Sequence, residues 1–70
     1  MENRLRLIRK ERGLTQQKLA NKSGVHRTVI ARYEIGRNQM SAKNLMRIAH
    51  ALNVSTDEVL GEGKGDGAAS

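Results

Sequence analysis

The apolar residues of this seventy-residue chain recur at the three- and four-residue spacing that places side chains on one face of a helix. The most regular stretch lies between Ser41 and Asn53, which suit an N-cap and a helix end. Its apolar positions are Leu45, Ile48, Ala49 and Leu52. This spacing predicts a helix, the fourth of five along the chain.

Four further helices are predicted from shorter apolar stretches and from residues that begin or end helices. They cover residues 2–12, 16–23 and 27–35, and a last turn or two after residue 55. Thr15 suits the N-cap of the second helix, and Gly24 suits a left-handed residue at its end. Gly13 and Gly36 are expected to end the first and third helices.

The pattern therefore predicts an all-α fold of five short helices, packed as one domain over residues 1–60. The predicted core consists of Leu5, Ile8, Leu14, Leu19, Ala20, Val25, Ile30, Tyr33, Leu45, Ile48, Ala49, Leu52, Val59 and Leu60. The last segment, residues 61–70, has four glycines and no apolar residue larger than alanine. Because such a segment has nothing to bury, we expect it to be disordered.

The composition excludes several classes of protein. Seventy residues, 37% of them hydrophobic, suffice for one small domain and no more. The chain has no cysteine, and His26 and His50 are too far apart for a helical metal-binding pair. No segment approaches the roughly 18 apolar residues that span a bilayer. We expect a soluble cytoplasmic protein with no bound metal or cofactor.

The charge is strongly positive and unevenly placed. Thirteen basic residues against seven acidic ones give a net charge of +6, and eight of the thirteen are arginine. Residues 1–47 carry twelve basic and three acidic residues, whereas residues 48–70 carry one and four. This balance favours a polyanionic partner, either nucleic acid or an anionic membrane. A membrane is disfavoured because no helix has a bulky aromatic face opposite a lysine face.

Residues 16–33 hold the most specific pattern. Ala20 is small where two helices approach, Gly24 permits a positive φ in a tight turn, and Val25 fills the elbow. With the flanking sequences LTQQKLANKSGVHRTVIARYEIGR and LMRIAHALNVSTDEVL, the chain resembles the phage repressor and Cro type of helix-turn-helix domain, the Xre family. The resemblance covers residues 3–60 and implies a lambda-repressor-like DNA-binding domain, with the helix-turn-helix at helices 2 and 3. RTVIARYEIG and SAKNLMRIAHAL also look like controller proteins of restriction-modification systems.

The resemblance implies a DNA-reading role for the third helix. In this family the helix after the turn lies in the major groove, and its N-terminal part reads base edges. Carried over to this chain, the resemblance places Arg27, Thr28 and Arg32 at the base edges. Each arginine can donate paired hydrogen bonds to a guanine, and the threonine offers a hydroxyl and a methyl group. The alternative for either arginine is a phosphate contact without base reading.

The resemblance also implies contacts to the DNA backbone. The residues concerned are Gln16, Gln17, His26, Arg37 and Asn38. Gln16 resembles the glutamine that binds a phosphate and braces the recognition helix in many relatives. His26 stands where relatives commonly have a serine or threonine N-cap. Because histidine is a weaker cap, two alternatives stay open for this residue: contact with a phosphate, or simple exposure to solvent.

One further pair is assigned to structure, again by resemblance. Arg9 and Glu34 are similar to the pair that ties the first helix to the third in this family. We therefore expect an ion pair between these helices.

These implications predict a sequence-specific double-stranded DNA-binding transcriptional regulator, a repressor, associated with the nucleoid. One recognition helix reads only a few base pairs, so we expect a weak homodimer on an inverted-repeat operator. Its two-fold contact is expected around residues 56–60 and the exposed side of the fourth helix. No small-molecule ligand is expected.

Two alternatives use the same fold with a protein partner. One is an antitoxin that binds DNA and also a toxin, and the other is a protein-interaction adaptor that does not bind DNA. An enzyme is not expected, because the chain has no nucleophile elbow, glycine-rich phosphate loop or metal-ligand spacing.

Overall fold

The computed structural model describes residues 3–37 and 39–61. Within these ranges the chain forms five helices and no strand, which confirms the predicted all-α fold. The helices are α1 (Leu5–Glu11), α2 (Gln16–Ser23), α3 (Arg27–Glu34), α4 (Ala42–Leu52) and α5 (Thr56–Leu60). The segment predicted to be disordered, residues 61–70, lies outside the described residues apart from Gly61.

Short polar side chains begin three of the helices, as the sequence predicts. The hydroxyl of Thr15 accepts a hydrogen bond from the amide of Lys18 at 3.0 Å, which starts α2. Ser41 begins α4 in the same way. Ser55 begins α5 in a capping box, in which Glu58 also accepts from the Ser55 amide. These caps satisfy backbone donors that have no partner inside a helix.

The first helix begins three residues later than predicted, at Leu5 rather than residue 2. Asn3 accepts a hydrogen bond from the amide of Leu5 and donates through Nδ2 to the carbonyl of Tyr33. The amide of Arg4 donates to the carbonyl of Val59 at 2.9 Å. These contacts tie the chain before α1 to α3 and α5, so its backbone groups are used for tertiary bonds instead of a helix.

The core lies between all five helices. The buried apolar residues are Leu5, Ile8, Leu19, Ala20, Val25, Ile30, Tyr33, Ile48, Ala49, Leu52 and Val59. Three predicted core residues, Leu14, Leu45 and Leu60, are only half-buried and pack against this cluster. Leu14 lies in the loop before α2, Leu45 in the first turn of α4, and Leu60 at the end of the last helix. Solvent therefore reaches one side of each.

The turn between α2 and α3 sets the angle at which the two helices meet. Gly24 has a φ of +79° and ends α2, and its amide donates to the carbonyl of Ala20 at 2.8 Å. A residue with a positive φ turns the chain sharply, and few residues other than glycine adopt this conformation without strain. Val25 is buried directly after the turn, so α3 starts on the surface of α2.

Candidate nucleic-acid interface

The outer face of α3 carries the three residues that the sequence assigns to base reading. Arg27, Thr28 and Arg32 are all exposed, whereas Ile30 and Tyr33 of the same helix are buried. Thr28 and Arg32 are one helical turn apart and therefore share a face. Neither arginine side chain forms an ion pair or hydrogen bond with another described residue. Both guanidinium groups are consequently available to an external acceptor.

Thr28 and Arg32 open onto a cleft between α3 and the start of α4. The cleft has a volume of about 350 Å³. Its lining residues are Thr28, Val29, Arg32, Gln39, Met40, Ser41 and Asn44. Hydroxyl and amide groups thus stand opposite the arginine, and Val29 and Met40 add apolar surface. Such a mixture can meet both the polar edge of a base and a methyl group.

Arg27 lies on a second cleft, between α2 and the first turn of α3. This cleft has a volume of about 560 Å³. Its lining residues are Gln17, Ala20, Asn21, Gly24, Val25, His26 and Arg27. The side chains of Gln17 and Asn21 are joined by a 3.0 Å hydrogen bond. The structure therefore brings Arg27 together with two of the predicted backbone-contact residues, Gln17 and His26, at a cleft that does not include Thr28 or Arg32.

The imidazole of His26 caps α3. Its Nδ1 accepts a hydrogen bond from the amide of Thr28 at 3.1 Å. Histidine is expected to cap less well than serine or threonine, but its ring occupies the cap position here. The ring reaches the same amide that a serine or threonine oxygen would bind, because its δ nitrogen stands at the distance of a short side-chain acceptor.

Beneath the interface, Arg9 and Glu34 form a buried ion pair between α1 and α3. The Nε of Arg9 donates to Oε2 of Glu34 at 2.6 Å, and Nη2 donates to Oε1 at 3.2 Å. Their side chains are 9% and 2% exposed. The remaining Nη1 donates to the carbonyl of Leu14 at 2.7 Å. The planar guanidinium therefore fixes three parts of the chain at once.

Gln16 joins this network from the first position of α2. Its Nε2 donates to Oε1 of Glu34 at 3.0 Å, and the side chain is half-buried. Glu34 thus accepts from Arg9 and from Gln16, so α1 and α2 are both bonded to the end of α3. Sequence reasoning assigned Gln16 a bracing role only through the family resemblance. Its spacing from Glu34 gave no independent sign of this hydrogen bond.

Two other arginines, Arg12 and Arg37, differ in their contacts. Arg12 donates through Nε to the carbonyl of Leu52 at 3.1 Å and so joins the end of α1 to the end of α4. Local sequence gave no sign of this hydrogen bond, because its acceptor lies forty residues away. Arg37 is exposed in the loop after α3, whereas the neighbouring Asn38 lies outside the described residues.

Basic residues outnumber acidic ones on α2 and α3. Glu34 is the only acidic residue in these two helices, and it is neutralised by Arg9. Their basic residues are Lys18, Lys22, Arg27 and Arg32. By contrast, α5 carries Asp57 and Glu58 in its first turn. The excess of basic residues on α2 and α3 favours an anionic ligand at their surface.

Among the described residues, no helix is both long and apolar enough to cross a membrane. Within the same residues, no group of three or more histidine or acidic side chains is arranged to hold a metal ion.

Known proteins similar to this chain share the helix-turn-helix. The family HTH_3, described as Helix-turn-helix, matches residues 5–59. YqaE of Bacillus subtilis (strain 168), an uncharacterized HTH-type transcriptional regulator, is 39% identical over 56 residues, covering 80% of this chain and 48% of that protein. The immunity repressor protein of Bacillus phage phi105 is 39% identical over 59 residues, covering 84% of this chain and 41% of that protein. The chain spans about half the length of the curated relatives it matches.

A solved structure of similar length has the same arrangement of helices. The restriction-modification controller protein C.AhdI from Aeromonas hydrophila superimposes with a TM-score of 0.76 at 36% sequence identity. The match covers 80% of this chain and 85% of that chain.

Proposed function

Because the chain belongs to the helix-turn-helix family HTH_3, we propose that it is a sequence-specific, double-stranded DNA-binding transcriptional regulator that acts as a repressor. One observation carries the proposal: α3 exposes the side chains of Arg27, Thr28 and Arg32, and neither guanidinium group is bonded to another described residue. Two arginines left unpaired on a helix of this kind are suited to an anionic, hydrogen-bonding ligand. The names of the phage repressor and the controller protein support the regulatory role.

In the proposed complex, α3 enters the major groove with Thr28 and Arg32 facing base edges. Arg32 can donate two hydrogen bonds to a guanine, which is the commonest specific contact of this kind. Thr28 contacts a neighbouring base through its hydroxyl or methyl group. Arg27 stands at the start of the helix and reads a base on the other side of α3.

The DNA backbone is held by residues on both sides of this helix. Gln16 and Gln17 begin α2, which crosses the backbone in this docking geometry. Arg37 and Asn38 follow α3 and contact the next stretch of phosphates. These contacts fix the register of the protein on DNA and contribute affinity that does not depend on sequence.

We further propose that two copies bind an inverted repeat. Two-fold pairing places recognition helices about 34 Å apart, which is one turn of DNA. Met46 is 63% exposed on the outer face of α4. It lies between the exposed basic residues Lys43 and Arg47, and α5 exposes Asp57. Contact between α4 of one copy and α5 of the other would cover Met46 and join opposite charges. The site of action would then be the nucleoid in the cytoplasm.

The experiment that tests DNA binding is a titration of a random-sequence duplex with the protein at rising salt concentration, read by fluorescence anisotropy. Each phosphate that is neutralised by a basic side chain contributes about −0.9 to the slope of log K against log salt. We expect a slope corresponding to several such contacts. Binding that does not respond to salt, or no binding to any duplex, would favour the protein-interaction adaptor instead.

A further inference from the structure

We propose that the protein senses the 5-methyl group of one pyrimidine in its DNA site, so that methylation of a cytosine at that position strengthens binding. The pyrimidine is the base that precedes, on the same strand, the guanine held by Arg32. The residues that meet the methyl group are Val29 and Met40. The inference rests on the proposed function and adds to it a response to a covalent mark on the DNA.

Val29 and Met40 form an apolar wall in the cleft between α3 and the start of α4. Both side chains are half-buried and pack against the core cluster. The fold therefore fixes their positions, and the surface that they leave in the cleft is apolar. The apolar group that a base edge presents in the major groove is the 5-methyl group of thymine, and 5-methylcytosine presents the same group. The wall therefore matches a methylated pyrimidine.

Arg32 lines the same cleft and is exposed. It lies three residues after Val29 on α3, so the two side chains are neighbours on the helix surface. When the guanidinium group bonds N7 and O6 of a guanine, carbon 5 of the preceding pyrimidine is the next position along the groove toward the 5′ end. A methyl group on that carbon lies between the guanidinium plane and the apolar wall. Because guanidinium is weakly hydrated, covering its face costs little.

The described residues that line the cleft include no acidic side chain. A carboxylate is the usual acceptor for the amino group of a cytosine. Without one, a pyrimidine is distinguished here by what it carries on carbon 5. An unmethylated cytosine leaves the surfaces of Val29 and Met40 in contact with water, whereas a methyl group removes both surfaces from water. The preferred bases at this position are therefore thymine and 5-methylcytosine.

The test uses four duplexes that differ at one base pair. Selection of binding sites from a random pool, with the wild type and with Arg32→Ala, first identifies the guanine whose preference depends on Arg32. The base before it is then made thymine, uracil, 5-methylcytosine or cytosine, and the affinity of the wild type is measured by fluorescence anisotropy. Thymine differs from uracil, and 5-methylcytosine from cytosine, by one methyl group.

We expect each methyl group to raise the affinity about fourfold, which is the effect of burying one such group. The exchange of thymine for uracil outside the selected site is the control and should leave the affinity unchanged. Met40→Gln keeps the length of the side chain but makes its end polar, so both differences should shrink. Met40→Leu keeps an apolar end and should preserve them. The wild-type comparison does not depend on the stability of either variant.

Three outcomes would overturn the inference while leaving DNA binding intact. Equal affinity within either pair of duplexes would show that the methyl group is not sensed. Weaker binding of 5-methylcytosine than of cytosine would show that the cleft excludes it. A methyl effect of unchanged size in Met40→Gln would show that the contact lies elsewhere. If the wild type binds no duplex at all, the proposed function itself fails, and that result is distinct from these three.

Discussion

Arg32 and Arg37 show how two exposed arginines, alike in chemistry, are expected to differ in function. Arg32 lies on the exposed face of α3, beside Thr28 on a cleft that also has apolar walls. Arg37 lies beyond the end of the helix, in the loop that follows it. The first position suits base reading and the second suits the phosphate backbone, because only a residue on the helix in the groove reaches base edges.

We expect Arg32→Ala to lose about 1 to 3 kcal/mol of binding free energy on the preferred sequence and to lose preference at one base position. Arg37→Ala is the matched control, which should weaken all sequences alike and reduce the salt slope by about 0.9. Selection of binding sites from a random duplex pool measures both effects. Identical preferred motifs from the wild type and Arg32→Ala would contradict the base-reading role.

Individual side chains also mark the limit of what the sequence could predict. The exposure of Thr28 and Arg32 follows from helical periodicity, because these residues lie opposite Ile30 and Tyr33, whereas Arg27 is exposed at the first position of the helix. The cap made by His26 does not, since it depends on the rotation of one ring relative to the backbone. Residue type alone predicted a weaker cap than serine or threonine and did not predict this hydrogen bond.

The contacts that hold the helices together involve a few polar side chains as well as the apolar core. Arg9 of α1 and Gln16 of α2 both donate to Glu34 at the end of α3. An Arg9 guanidinium makes three such hydrogen bonds in a plane, including the bond to the carbonyl of Leu14. Lysine has the same charge but no planar fork, so it cannot reach both acceptors.

Arg9→Lys should therefore lower the free energy of unfolding by about 1 to 3 kcal/mol, from two lost hydrogen bonds in a buried site. Arg6→Lys, at an exposed arginine of the same helix, is the control and should change it by less than about 0.5 kcal/mol. Urea unfolding followed by circular dichroism makes the comparison. Equal midpoints for the two variants would refute the structural role, as would a loss of DNA affinity without a loss of stability.

The sequence predicted helix ends better than contacts between helices. Thr15, Ser41 and Ser55 act on amides three residues away, so their roles are visible in local sequence. The start of α1 was misplaced because Asn3 bonds to Tyr33, thirty residues away. A residue's spacing along one helix reveals its inner face, but it does not say which distant backbone group will lie opposite.

At the scale of the whole domain, α4 and α5 provide the proposed surface through which two copies pair. The exposed Met46, with Lys43 and Arg47 beside it, is a small patch compared with the roughly 800 Å² that each partner of a stable complex buries. We therefore expect a free protein that is monomeric or weakly dimeric and that pairs on DNA.

Sedimentation at several concentrations, with and without a palindromic duplex, tests this expectation. Two copies should bind the palindrome, and scrambling one half-site should reduce the affinity. Met46→Lys should weaken this pairing without changing affinity for a single half-site, because it adds a charge among basic residues. Leu7→Lys, at an exposed apolar residue of α1, is the matched control. One copy per site, with no effect of the second half-site, would contradict the dimer.

The overall architecture was accessible from the sequence because most of the core lies at regular helical spacing. The proposed two-fold surface was inferred only by excluding the rest of the chain, because exposed residues do not follow a regular spacing as core residues do. An exposed face is recognised through residues that are distant in sequence and that the fold brings together. Gln17, His26 and Arg27 are brought together in this way at the second cleft.

The proposed recognition helix, α3, has only eight residues, and this short length would affect how long the protein survives in a cell. Helices this short are marginal in isolation, so α3 persists only while α1 and α2 hold it. A bound operator stabilises the form in which α3 is packed on α1 and α2. It therefore lowers the population of chains in which α3 has opened. Proteases that cut the opened form therefore remove unbound molecules first. The abundance of the protein would then adjust to the number of operators it occupies.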